Sequence, residues 1–153
     1  MNLFGVMETS GSAMQAERLR AEVVAANMAN AETTRTESGQ PYKRQMVVFE
    51  AAGARPAFRN LLEAATTVGS TANSVDAPGV RIAQVVEDPA PPLRRYDPGH
   101  PDADPDGYVE YPNINPLTEM VDLMGATRAY GLNGSAVQAE KSMILSALDI
   151  VKT

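Results

Sequence analysis

The sequence predicts a mainly α-helical fold with a small β-rich middle. Two long helices, one near each end, pair as a coiled-coil-like element, with short strands and an extended proline-rich segment between them. Three observations carry this prediction. Apolar residues recur at helical spacing over the last quarter of the chain and again over residues 3–31. Most of the eleven prolines fall in residues 88–112, where they exclude regular helix because proline lacks the N–H and fixes φ. Two runs rich in β-branched and aromatic residues, near 41–50 and 79–87, suit strands.

The first helix covers residues 3–31. Ala16, Leu19, Val23, Ala26 and Asn30 share a stripe, and Leu3, Val6 and Met7 carry apolar surface toward the start. Gly5 and Gly11 weaken the first turns, since an interior glycine costs up to about 1 kcal/mol relative to alanine. Asn27 and Asn30 lie on one face just before Thr33 and Thr34 end the pattern. Two readings stand for this pair: a plain helix exit, or amides that fix register against a partner, as polar seam residues do.

Pro41 opens an extended segment whose Tyr42, Val47, Val48 and Phe49 suit a strand. Residues 51–78 are small and Ser/Thr-rich without stable periodicity, and are expected to form a flexible loop with a short helical turn near 58–65. Residues 79–87 alternate, with Val80, Ile82 and Gln84 on one side and Arg81, Ala83 and Val85 on the other. Two short strands flanking a long loop make a sheet that is marginal without a third strand or a packed helix. The run 88–112 reads as a rigid, turn-rich connection in which Tyr108–Tyr111 adds an edge strand.

The second helix begins at Asn115–Pro116: the asparagine can cap free backbone N–H groups, and proline has its φ preset for the first helical position. Met120, Leu123, Thr127, Tyr130, Gly134, Val137, Lys141, Ile144, Leu148 and Val151 then fall at alternating i+3 and i+4 spacing, a coiled-coil-like seam. A helix from Pro116 to Lys152 is roughly 55 Å long at about 1.5 Å per residue, and it needs a partner along its length. Gly125, Gly131 and Gly134 weaken it as an isolated element. Together with Ala129, Ser135, Ala136 and Ala139 they also leave little bulk, so that neighbouring helices can approach closely.

Composition and motifs narrow the function. There is no cysteine, which excludes thiolate chemistry and disulfides. No apolar run is long enough to span a membrane. The net charge of −6 is uneven, with seven acids against two arginines in residues 87–110, and no basic stripe favours nucleic acid. The first residues, MNLFGVMETS, lack the basic start and apolar block of a cleavable signal, so the default location is cytoplasmic unless export uses an uncleaved, unfolded-chain route. Asp102, Asp104 and Asp106 before Gly107 match the first half of a calcium loop. Asn113 stands where the closing acid belongs and Pro105 stiffens the loop, so these aspartates read first as turn caps and only second as a weak metal site. His100 is the only histidine. With no nucleophile elbow, dinucleotide-binding fingerprint or phosphate-binding loop beside it, neither an enzyme nor a cofactor is expected.

Several segments resemble one family. Ala16–Thr34, AERLRAEVVAANMANAETT, resembles the helix shared by axial rod and hook proteins, including its Asn-x-x-Asn-Ala element. The narrower match is the signature Asp97, Pro98, Gly99, His100, Pro101, Asp102, Asp106, Gly107, Tyr108, Pro112, Asn113 and Asn115, similar to that of the flagellar basal-body rod proteins of the FlgC, or proximal-rod, family. Pro41–Gln45, Val85–Pro89 and Lys141–Leu145 agree with it. Residues 51–78 are unmatched, and Gly131-Leu132-Asn133-Gly134 is richer in glycine than the family's helix.

The resemblance implies a structural subunit of the bacterial flagellar proximal rod, assembling helically into the hollow drive shaft. The alternative is a calcium-dependent binding module using Asp102, Asp104 and Asp106. The resemblance further implies export through the flagellar type III apparatus without signal cleavage, and a place in the periplasmic rod. The partners implied are copies of the chain itself, the rod proteins FlgB, FlgF and FlgG, and the adaptor FliE. Residues 1–35 and 113–153 are expected to form a rod core domain and 36–112 the β-rich middle. Leu19, Val23, Ala26, Asn27 and Asn30 are expected to meet Met120, Leu123, Tyr130, Val137, Ile144 and Leu148, within or between subunits.

Overall fold

The computed structural model describes residues 3–51 and 79–152. Apart from Ala51, the loop expected at 51–78 and its turn near 58–65 lie outside the described residues. The elements are α1 (Leu3–Ala29), β1 (Gln45–Ala51), β2 (Val80–Glu87), β3 (Leu93–Tyr96), β4 (Tyr108–Tyr111) and α2 (Pro116–Lys152).

Both long helices form where the periodicity places them. The Asn115 side-chain carbonyl accepts the Leu117 N–H at 3.0 Å, the N-cap expected of an Asn-Pro start. Such a cap stabilises a helix by about 1 kcal/mol. α2 then runs unbroken for 37 residues, through Gly131 and Gly134. α1 ends at Ala29, where the Asn30 side-chain amide bonds the Ala26 carbonyl at 2.9 Å and its oxygen accepts the Thr33 hydroxyl at 3.2 Å. Asn30 therefore belongs to the helix exit.

The helices pair antiparallel. Asn27 bonds Glu119, Arg20 pairs with Asp122, and a Cβ on Gly134 would lie 3.9 Å from the Met14 methyl, so α2 numbering rises as α1 numbering falls. Ala16, Val23, Val24 and Asn27 of α1 are buried, as are Glu119, Ala126 and Glu140 of α2. That stripe on α2 sits one residue before the hydropathy seam at three points: Glu119, Ala126 and Glu140 are inside, while Met120, Thr127 and Lys141 are outside. Ala16 and Ala126 are the small buried residues of the two helices, while Met120, Met124 and Leu148 remain exposed.

β1 and β2 pair antiparallel from Gln45↔Glu87 to Ala51↔Val80. Val48 faces Gln84 and Phe49 faces Ile82, so Ala83 is skipped in a bulge. The bulge breaks the strict alternation expected of residues 80–85. This two-stranded sheet packs on α1, which supplies the helix such a small sheet needs. Tyr108–Tyr111 does not join it, contrary to the edge-strand expectation. It pairs antiparallel with β3 in a separate hairpin, from Leu93↔Tyr111 to Tyr96↔Tyr108. β3 is the proline-free window between Pro92 and Pro98, the part of that run where every residue keeps its N–H.

Candidate functional site

The two helices and the first sheet meet at a buried polar junction centred on Asn27 and Glu119, each 1% exposed. The Asn27 carboxamide donates to the Gln45 carbonyl at 2.8 Å and to Glu119 Oε2 at 3.1 Å. Its oxygen accepts the Gln45 N–H at 2.9 Å and the Tyr42 hydroxyl at 3.1 Å. By bonding both main-chain groups of Gln45, the amide acts as a strand partner where β1 begins. All four hydrogen-bonding positions of the side chain are used, as a buried amide requires.

Glu119 is balanced by Arg44, whose Nε donates to Oε1 at 2.7 Å. The same guanidinium lies 3.6 Å from Asp122 and 3.9 Å from Asp88. Arg20 of α1 also reaches Asp122, at 3.3 Å. Arg44 thus ties the entry to β1 to α2 and to the residue after β2, while Arg20 ties α1 to α2. A buried ion pair of this kind is weak evidence for net stability, but removing one partner leaves an uncompensated charge and costs about 3–5 kcal/mol. The junction therefore specifies one arrangement of helices and sheet. Burial raises the Tyr42 phenol pKa above its ordinary 10, and the negative charges of Glu119 and then Glu87 add to the effect.

The loop between β3 and β4 is held by its own backbone. Asp97 N–H donates to the Gly107 carbonyl at 2.9 Å, Gly107 N–H to Asp104 at 2.8 Å, and Asp104 N–H to Tyr108 at 2.8 Å. Gly107 has φ +79°, and a Cβ there would lie 2.8 Å from Tyr96 Cε2, so both backbone and space demand glycine. Asp102 accepts the Thr34 hydroxyl at 2.8 Å and lies 3.5 Å from Arg35, which fastens the loop to the segment leaving α1. Asp104 pairs with Arg94 at 3.7 Å and Asp97 with Arg95 at 3.7 Å. The guanidinium of Arg95 also sits 4.2 Å from the Tyr111 ring centroid, and that of Arg94 5.1 Å from the Tyr108 centroid. His100 Nδ1 accepts the Asp102 N–H at 3.1 Å, a turn-locking role. Asp102 and Asp104 thus serve different cations. Among the described residues, no group of three or more histidine and acidic side chains lies close enough to share a metal ion.

With this geometry in place, comparison with known proteins is decisive. Residues 7–35 match the family model described as flagella basal body rod protein, and residues 106–150 the model for the C-terminal part of the flagellar basal-body rod FlgEFG proteins. The chain is 38% identical to the flagellar basal-body rod protein FlgC of Bacillus subtilis, over 99% of this chain and 100% of that one. It is 37% identical to the FlgC protein of Borreliella burgdorferi, over 99% of both, and 37% to that of Escherichia coli O6:H1, over 98% of both. The chain belongs to the FlgC family of flagellar basal-body rod proteins.

The two matched models coincide with α1 and its exit and with β4 and most of α2, the segments joined at the junction. Of the residues expected in FlgC-family packing, Asn27 of α1 contacts α2 through Glu119 and Val23 is buried, while Ala26 of α1 and Leu123, Val137 and Ile144 of α2 are half-buried. Leu19 is exposed, in the groove between α1 and the Val80–Ile82 end of β2, and Asn30 stands at the helix exit. Met120, Tyr130 and Leu148 stand outside, at 50%, 42% and 52% exposure. Gly134 faces Met14, whereas a Cβ on Gly125 or Gly131 would meet nothing within 4 Å among the described residues. The signature residues gather in the β3–β4 hairpin and the α2 cap: Gly107 makes the turn, Asp97 and Asp102 fasten it, Pro112 is buried, and Asn113 donates to the Pro91 carbonyl at 3.4 Å. Sequence reasoning missed Arg20, Tyr42, Arg44, Glu119 and Asp122. The family matches of Ala16–Thr34 and Pro41–Gln45 covered Arg20, Tyr42 and Arg44 without marking their roles. Glu119 lies in the first turn of α2, where an acid is already explained by the helix dipole, so nothing local marks it as buried.

Proposed function

We propose that this chain is a structural subunit of the flagellar basal-body rod, built by packing its long helices against copies of itself and neighbouring rod proteins. The observation that carries the reading is the chain-long similarity to FlgC proteins. A physical feature supports it. Leu117, Met120, Val121, Met124, Leu132 and Leu145 of α2 are each at least half exposed in the single chain, and exposed apolar patches mark interaction sites. Copies packed side by side would bury it, and Gly125 and Gly131 leave room for a helix to come close.

In finer terms, the subunit belongs to the proximal rod, in the periplasm. It is exported through the flagellar type III apparatus without signal cleavage and meets FlgB, FlgF, FlgG and FliE. Among the described residues no helix is long and apolar enough to cross a membrane. Residues 1–35 and 113–153 act as one rod core domain, and 36–112 as a lateral extension locked to it through Arg44 and Asp102. Met120, Tyr130 and Leu148 pack between subunits, while Val23, Asn27, Leu123 and Val137 pack within one. Deleting residues 146–153 is expected to abolish rod assembly and motility. Normal swimming by a strain carrying that deletion would remove α2 from the assembly role.

A further inference from the structure

Asn133–Gly134 is the only Asn-Gly pair in the sequence, and it lies in the middle of α2. We infer that it is a spontaneous deamidation site held unreactive by the helix, so that unpacked chains are modified there and helical ones are not. In the reaction the Gly134 main-chain nitrogen attacks Asn133 Cγ. The new N–Cγ bond closes a five-membered succinimide, the Cγ–Nδ2 bond breaks, and the amide nitrogen leaves as ammonia carrying the proton from Gly134. Water then opens the ring at either carbonyl, giving aspartate or isoaspartate. Glycine favours the attack because no Cβ shields its nitrogen and its backbone turns freely.

Three features of α2 block this step. The Asn133 Nδ2, the leaving group, donates to the Ala129 carbonyl at 2.9 Å. The Gly134 N–H, the nucleophile, is committed to the i→i−4 bond of the helix. Helical ψ, near −42°, also turns that nitrogen away from Cγ. All three restraints vanish together when this part of α2 melts. A Cβ at Gly134 would lie 3.9 Å from the Met14 methyl, so the reactive pair sits on the face that meets α1. Isoaspartate there adds a methylene to the main chain and breaks the helical register at that contact. The modified chain is then unable to rebuild a continuous α2.

The test uses the full chain, incubated at mildly alkaline pH in urea, in aqueous buffer and in helix-promoting trifluoroethanol. Peptide mapping follows conversion of Asn133 by the mass change and the isoaspartyl linkage. Conversion is expected to be at least about tenfold slower in trifluoroethanol than in urea, with buffer between them in step with helicity, as for any reaction gated by local opening. The Gly134→Ala variant is expected to slow conversion in urea as well, because the methyl crowds the attacking nitrogen. Equal rates in urea and trifluoroethanol would overturn the gating. Absence of conversion at Asn133 in urea, or a Gly134→Ala rate equal to that of the parent chain, would overturn the site itself.

Discussion

Replacing Arg44 by methionine tests the junction most sharply. The substitution keeps the side chain's length and apolar stem but removes the guanidinium from Glu119, which is 1% exposed and accepts Arg44 Nε at 2.7 Å. A carboxylate buried to that degree and left with only the Asn27 amide costs about 3–5 kcal/mol. A domain of this size has roughly 5–15 kcal/mol of total stability, so the loss is a large share of it. Urea unfolding followed by far-ultraviolet circular dichroism reads the change as a lower midpoint. The companion variant Glu119→Gln decides the mechanism. If the damage is the orphaned charge, Arg44→Met with Glu119→Gln recovers about 2 kcal/mol or more of the single-variant loss, within the range known for directly contacting pairs. A loss below about 1 kcal/mol for Arg44→Met, the size of an exposed ion pair, would refute the claim that this pair locks the helices to the sheet.

Three further outcomes follow from the geometry. Asn115→Ala removes the cap on Leu117 and is expected to cost about 1 kcal/mol in the same unfolding assay. Gly107→Ala must hold an alanine at φ +79° with its Cβ 2.8 Å from Tyr96; the left-handed backbone alone costs about 1–2 kcal/mol, and the β3–β4 hairpin should lose amide-exchange protection at Asp97, whose N–H donates to the Gly107 carbonyl. Because folding raises the Tyr42 pKa above 10, its stabilising contribution is complete below pH 10 and is lost as pH rises through the folded value; Tyr42→Phe should flatten that part of an alkaline stability profile.

Elements that rest on local signals were legible in the sequence. The Asn-Pro cap, the two helical periodicities and the proline punctuation each act over a few residues, and the structure has α1, α2, β1 and β2 where they point. Pairing was less legible. Tyr108–Tyr111 suits a strand, but only the three-dimensional path shows that its partner is Leu93–Tyr96, a window hidden among prolines. Which side of α2 turns inward was less legible for a related reason. Hydropathy favours Met120 over Glu119, yet Glu119 goes inside because Asn27 and Arg44, distant in sequence, converge to satisfy it. A buried charge becomes predictable only when its partners are known, so the junction was hidden apart from Asn27 itself. Asn27 and Asn30, alike in sequence, divide the two readings offered for the pair: the first sets register and the second ends the helix.

The exposed apolar side of α2 is proposed as the assembly surface of the rod. Imaging of the assembled basal-body rod at a resolution that traces this chain tests it directly. Met120, Tyr130 and Leu148 are expected to be buried against neighbouring subunits while Asn27, Arg44 and Glu119 keep their contacts within one. A rod in which those three α2 residues face solvent, or in which the α1–α2 pair is exchanged for a different intramolecular packing, would contradict it.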